Sequence, residues 1–110
     1  MDLFAGIPVS DLAAALTWYE QFFGAPPSFL PNEREAVWEV APHRYVFVEL
    51  RPEHAGHSRH LLFVDDLEAR VAQIAERGLS PEQRETLANG VRKVTYRDPD
   101  GNQLEFGGVG

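Results

Sequence analysis

Two carboxylates recur in matching surroundings. Glu49 lies in Val46-Phe47-Val48-Glu49-Leu50, and Glu105 lies in Asn102-Gln103-Leu104-Glu105-Phe106, a shift of 56 residues. Both stretches alternate apolar and polar side chains, so each glutamate projects from one face of a strand. Such a pair is a candidate for general acid–base chemistry, because burial can raise a carboxyl pKa towards neutrality. Glu105 follows an explicit turn, Asp98-Pro99-Asp100-Gly101-Asn102. Pro99 fixes φ, Gly101 supplies φ > 0, and the Asp and Asn side chains can bond nearby backbone.

Other reactive groups are sparse. The chain has no cysteine, which excludes disulfides, thiol catalysis and thiolate metal sites. His54, His57 and His60 are spaced by three, but Pro52 and Gly56 interrupt them, so that segment reads as a solvated loop. No Ser-His-Asp arrangement, phosphate loop or nucleotide fingerprint is visible. Ala88-Asn89-Gly90 reads as a turn. Aromatic residues are the larger resource. Trp18 and Tyr19 sit on a helix, Tyr19 in its apolar stripe. Trp38, in Val37-Trp38-Glu39, sits on a strand.

Composition bounds the rest. At 110 residues there is room for one core, hence a single domain. A net charge of −7 argues against nucleic acid, which demands a basic surface. The same charge mildly favours cationic or neutral ligands, or serves solubility alone. No apolar run approaches the roughly 20 residues a membrane span needs, and no basic-then-apolar leader is visible. A cytoplasmic location is the expectation.

The elements that must position these residues come in two copies. Ile7-Pro8-Val9-Ser10-Asp11-Leu12 precedes a helical stretch, Ala13 to Phe23, closed by Gly24. Leu62-Phe63-Val64-Asp65-Asp66-Leu67 precedes another, Glu68 to Arg77, closed by Gly78. Val9, Asp11 and Leu12 match Val64, Asp66 and Leu67 at a shift of 55. Ser10 or Asp11 and Asp65 or Asp66 are candidate N-caps, and the glycines suit the left-handed closing residue. Leu12, Leu16, Tyr19 and Phe23 form one apolar stripe; Leu67, Val71, Ile74 and Ala75 form the other. Strands are expected near 28–30, 36–40 and 45–50, then 83–87, 91–97 and 103–107. The reading is α+β: two βαβββ modules, about 1–52 and 57–110, joined by a linker rich in Pro, Gly and His.

Paired βαβββ modules, the Val-x-Asp-Leu helix entry and the Asp-Pro-Asp-Gly-Asn-x-x-Glu ending resemble the vicinal oxygen chelate superfamily. That group includes glyoxalase I, extradiol dioxygenases, fosfomycin resistance enzymes and bleomycin-binding resistance proteins. The resemblance implies sheets curled into a partial barrel, helices on the outer side and a pocket on the concave side. It also implies a homodimer whose cavity combines the first module of one chain with the second of another.

The resemblance further locates where metal enzymes of the group place their ligands. One point lies eight residues before the Leu of Val-x-Asp-Leu, here Phe4 and Arg59; the other lies on the last strand, here Glu49 and Glu105. Phe has no lone pair, and Arg stays protonated with no acceptor. Two carboxylates alone leave an undersupplied site. No cofactor is therefore expected, and Arg59 is expected to replace the metal charge by pairing with Glu105 or Glu49. A divalent cation held by Glu49, Glu105 and His60 would need a strand slip that turns His60 inward.

Strand alternation within this fold gives a cavity lined by Phe4, Tyr45, Phe47, Glu49, Arg59, Leu61, Phe63, Gln103 and Glu105, with Trp38 at its border. The expected function is metal-free binding of an aromatic or cationic small molecule, similar to the bleomycin-resistance-type sequestering proteins. The alternatives are a glyoxalase-like lyase or isomerase, a dioxygenase-related enzyme, or a partner domain with no ligand.

Overall fold

The structure is a computed structural model that describes residues 1–109. Gly110, which the second module was expected to include, lies outside the described residues. The strands are β1 (Leu3–Val9), β2 (Phe29–Asn32), β3 (Glu35–Ala41), β4 (Arg44–Leu50), β5 (Arg59–Phe63), β6 (Gln83–Thr86), β7 (Val91–Arg97) and β8 (Gln103–Val109). Helix α1 (Leu12–Phe23) follows β1, and α2 (Leu67–Glu76) follows β5. Two mixed four-stranded sheets result, in the orders β1-β4-β3-β2 and β5-β8-β7-β6. The first strand of each module runs parallel to the last, and the remaining pairs are antiparallel. This is the expected pair of βαβββ modules. The linker holds one 3-10 turn, Pro52–His54.

Local chemistry explains the helices. The Asp11 carboxylate accepts from the Ala14 N–H at 3.1 Å, satisfying one orphan donor of the first turn. Gly24 closes α1 at φ 78°, a conformation that costs glycine little. At the second module the cap differs. Asp66 makes no capping bond and instead pairs with Arg70, four residues on. The buried arc of α1 is Ala15, Tyr19 and Phe22, so the apolar stripe is centred one residue away from Phe23. On α2, Leu67, Val71 and Ile74 are buried as expected, whereas Ala75 is exposed.

That rotation of α1 has a purpose in packing. Phe22 stacks on Phe106 at 5.3 Å and meets the edge of Tyr96 at 5.2 Å, both in the second module. Burying a ring of this size contributes about 1.5–3 kcal/mol. Arg77, just beyond α2, donates to the Gln21 and Phe22 carbonyls at the end of α1. The two modules thus share one hydrophobic core.

The Asp98–Asn102 turn locks them together more specifically. Asn102 is fully buried. Its Oδ1 accepts from the Gly56 and Ser58 N–H groups and the Ser58 hydroxyl, and its Nδ2 donates to the Pro8 carbonyl and to Asp98. Asp100 accepts from the backbone and hydroxyl of Ser10. One turn therefore holds the linker, the end of β1 and the entry to α1.

The helices cover one face of each sheet. Ile7, Val9, Val46, Val48, Ala36 and Trp38 pack there in the first module, and Leu104, Phe106, Val94 and Tyr96 in the second. The opposite faces are open. Phe4 is 48% exposed, Leu61 56% and Phe63 60%, large values for apolar side chains.

Candidate functional site

Pairing between strands fixes which side chains share each open face. In the second module, Arg59, Gln103 and Arg97 stand in one cross-strand row. Leu61, Glu105, Thr95 and Gln83 form the next, then Phe63, Gly107, Lys93 and Glu85. In the first module, Phe4, Tyr45 and Glu39 form one row. Gly6, Phe47, Val37 and Phe29 form the next, then Pro8, Glu49, Glu35 and Asn32.

Glu105 is the centre of the second face, and it is 3% exposed. Arg59 Nε donates to its Oε1 at 2.9 Å and Nη2 to its Oε2 at 3.3 Å. The ion pair expected between these residues is present. Lys93 Nζ lies 3.3 Å from Oε2 and 3.2 Å from Glu85, and the Thr95 hydroxyl donates to Oε2 at 3.5 Å. Burial pushes the Glu105 carboxyl up, but the bonds from Arg59 and Lys93 outweigh it and hold the group below its ordinary value. The same contact with Glu105 raises Arg59. An ionised carboxylate with both oxygens engaged by cations is a poor proton acceptor at neutral pH.

Glu49 is placed differently. It stands on the other sheet, level with Pro8, four residues past Phe4, whereas Glu105 is level with Leu61, two past Arg59. The two glutamates therefore do not occupy matching heights, and the residue of the first module that matches Glu105 in register is Phe47. The ion-pair partner of Glu49 is Arg51, at 3.8 Å, and not Arg59.

The first face is aromatic and acidic. Phe4 stacks on Tyr45 at 4.3 Å with planes 7° apart, and Phe29 meets Tyr45 edge-on at 6.5 Å. The Phe47 ring lies over Gly6, where a Cβ would come within 2.6 Å of it. Partial burial and a hydrogen bond with Glu39 raise the Tyr45 hydroxyl.

One further expectation needs correction. Trp38 does not border this face. Its partner across the sheet is Val46, so it points to the helix side, where it packs on Tyr19 and Phe23 and donates to the Ala25 carbonyl at 2.9 Å. The strand slip that a His60 ligand would need is not made. His60 alternates with Arg59 and Leu61 and faces the core beside Leu104, its Nδ1 buried without a partner among the described residues. Burial lowers its pKa.

The donor set does not fit a divalent cation. Phe4 and Phe47 offer no lone pair, Arg59 repels a cation, and the Glu105 oxygens are taken. Among the described residues no three His, Cys, Asp or Glu side chains cluster as ligands would. Lys93, Thr95 and Glu85 were not anticipated from sequence. The length of the Asp98–Asn102 turn pairs Arg97 with Gln103 and so places Thr95 against Glu105, which is a readable signal.

Comparison with known proteins agrees with this fold. No curated protein matches the chain. A glyoxalase/bleomycin resistance protein from Catenulispora acidiphila DSM 44928 is 50% identical over 100% of this chain and 99% of its own, with a TM-score of 0.95. A bleomycin-binding protein solved with bleomycin is 17% identical over 100% and 99%, with a TM-score of 0.81. An antibiotic-binding protein from Streptomyces sp. CB03234 is 23% identical over 100% and 96%, with a TM-score of 0.74. The last two likenesses show the fold alone. The family model for the Glyoxalase/Bleomycin resistance protein/Dioxygenase superfamily matches residues 3–106, and the chain belongs to that superfamily.

Proposed function

We propose that the protein is a metal-free small-molecule-binding member of this superfamily. It holds an aromatic or cationic organic ligand in a cavity formed where two copies bring a first-module face against a second-module face. The observation that carries this reading is the state of Glu105, whose two oxygens are occupied by Arg59, Lys93 and Thr95. A metal enzyme of this fold would need those oxygens for the ion. The open, apolar character of Phe4, Leu61 and Phe63 supports burial by a second copy and a ligand. The stacked Phe4–Tyr45 pair, with Glu39 beside it, suits a planar ring or an organic cation. Two relatives of this fold are described as binding bleomycin or an antibiotic, which supports the same class of ligand here.

The test is a fluorescence titration of chelator-treated protein with bleomycin and a panel of planar aromatic cations, run beside sedimentation equilibrium. Saturable binding by a dimer without metal is expected. Phe4→Ala should weaken it, and Phe63→Glu should dissociate the dimer. Binding or turnover that appears only after zinc, nickel or iron is added would overturn the proposal in favour of a lyase, isomerase or dioxygenase-related enzyme.

A further inference from the structure

The two open faces offer opposite hydrogen-bonding character. The first carries three carboxylates, Glu35, Glu39 and Glu49, among aromatic rings, with Arg51 beside Glu49. The second carries Arg59, Lys93 and Arg97 beside Glu105 and Glu85; Arg97 is engaged by Glu82 and the Gly101 carbonyl, Glu85 pairs with Lys93, and Glu105 is already saturated by donors. What the surroundings of Glu105 have left to offer a ligand is therefore mostly donors.

Arg59 supplies most of them. Its Nε and Nη2 are spent on Glu105, while Nη1 makes no hydrogen bond among the described residues. The side chain is 61% exposed although its partner carboxylate is 3% exposed, so the guanidinium bridges from the sheet to the open side. Anchoring by a buried carboxylate fixes the guanidinium plane in advance, which lowers the entropic cost of using its outer edge. Lys93, pinned between Glu85 and Glu105, has one N–H beyond those two contacts. Gln103 stands beside Arg59 in its row, and Leu61 and Phe63 provide an apolar border along the same strand.

Resting on the small-molecule-binding reading above, we infer that the second-module face is an acceptor subsite. It takes a carboxylate, sulfonate, phenolate or conjugated carbonyl oxygen of an aromatic ligand on the outer edge of Arg59, with the ring against Leu61 and Phe63. The ligand is thus bipolar: an oxygen acceptor towards the second module, and an aromatic or cationic part towards Phe4, Tyr45 and Glu39.

Two probes of nearly the same shape separate this inference from the reading it rests on. One is 8-anilinonaphthalene-1-sulfonate, an anion; the other is N-phenyl-1-naphthylamine, which lacks the sulfonate. A net charge of −7 disfavours the anion everywhere except at a dedicated site. The expected result is about tenfold tighter binding of the anion, the scale of one charge-assisted hydrogen bond. Arg59→Met should bring the ratio to about one, with Lys93 still compensating Glu105. Arg59→Lys should give an intermediate ratio, because it keeps the charge and loses the fork. Equal binding of both probes by the unsubstituted protein, lost together in Phe4→Ala, would overturn the subsite and leave the binding function standing. Failure of both probes to bind would overturn the two together.

Discussion

The hydroxyl of Tyr19, in the first helix, donates to the carboxylate of Asp98, in the turn before the last strand, at 2.7 Å. The residues are 79 positions apart and belong to different modules. Asp98 is 5% exposed and forms no salt bridge among the described residues. Its charge is held by dipoles: Tyr19, the Asp100 and Asn102 N–H groups, and the Asn102 amide. Burial, and then the Asp98 charge, raise the Tyr19 hydroxyl, so it stays a donor throughout the physiological range. Tyr19→Phe is expected to lower stability by about 1.5–3 kcal/mol, the scale of a hydrogen bond to a charged group. Urea unfolding of the two proteins checks this. An unchanged midpoint would mean that the contact contributes nothing.

Asn102 gives a sharper comparison, because its two ends do opposite work. Oδ1 accepts three bonds from the linker, and Nδ2 donates to Pro8 and Asp98. Asn102→Ala orphans buried groups on three segments and is expected to cost about 3–5 kcal/mol. Asn102→Asp keeps the acceptor and shape, yet sets a carboxylate within hydrogen-bond distance of Asp98. It should be at least as harmful as the alanine at pH 7 and recover partly near pH 4, where a carboxyl can regain a proton. Thermal melts at the two pH values distinguish the variants. If Asn102→Asp behaves like the parent protein, the Nδ2 bonds do not matter.

Much of this organisation was legible in the chain. The duplicated Val-x-Asp-Leu entries, the closing glycines and the strand alternation located every module, because local periodicity dictates those features. The Arg59–Glu105 pair was readable for the same reason, since both lie on one face of adjacent strands. Trp38 was misplaced because a strand's two faces are both apolar in this region, and alternation alone does not say which is covered. Glu49 was set level with Glu105 because short sequence motifs matched, whereas register is decided by pairing with β1. The role of Asn102 was invisible, because three of its four side-chain partners, Gly56, Ser58 and Pro8, are separated from it by 44 to 94 residues. Turn chemistry predicts local bonds only.

Acid should expose the contribution of Glu105. Its folded pKa lies below the ordinary value, chiefly because bonds from Arg59 and Lys93 overcome burial. A depressed carboxyl contributes stability that is fully present above the unfolded pKa and is lost as pH falls through the folded one. The stability difference between the parent and Glu105→Gln is thus expected to be largest at neutral pH and to shrink progressively below about pH 4.3. Lys93→Met removes one of the depressing cations and should move that loss to higher pH. Urea midpoints measured from pH 7 to pH 2.5 provide the curves. A difference that does not vary with pH would show that the carboxylate's charge is not what the cluster stabilises.

Gly6 tests the first-module face without touching its polar groups. A Cβ at this position would come within 2.6 Å of Phe47 Cζ, the far end of that ring. Backbone strain is not the obstacle, because Gly6 is not among the positive-φ glycines. The ring must therefore swing out over the open face. A movable side chain end gives way at little cost, so Gly6→Ala should melt within a few degrees of the parent protein. The aromatic surface beside the Phe4–Tyr45 stack, however, would change shape, and binding of planar aromatic probes should weaken severalfold. Combining this variant with Phe47→Ala should undo the steric part of the loss, since the alanine then meets no ring. If Gly6→Ala binds those probes as tightly as the parent protein does, Phe47 is not part of the ligand surface.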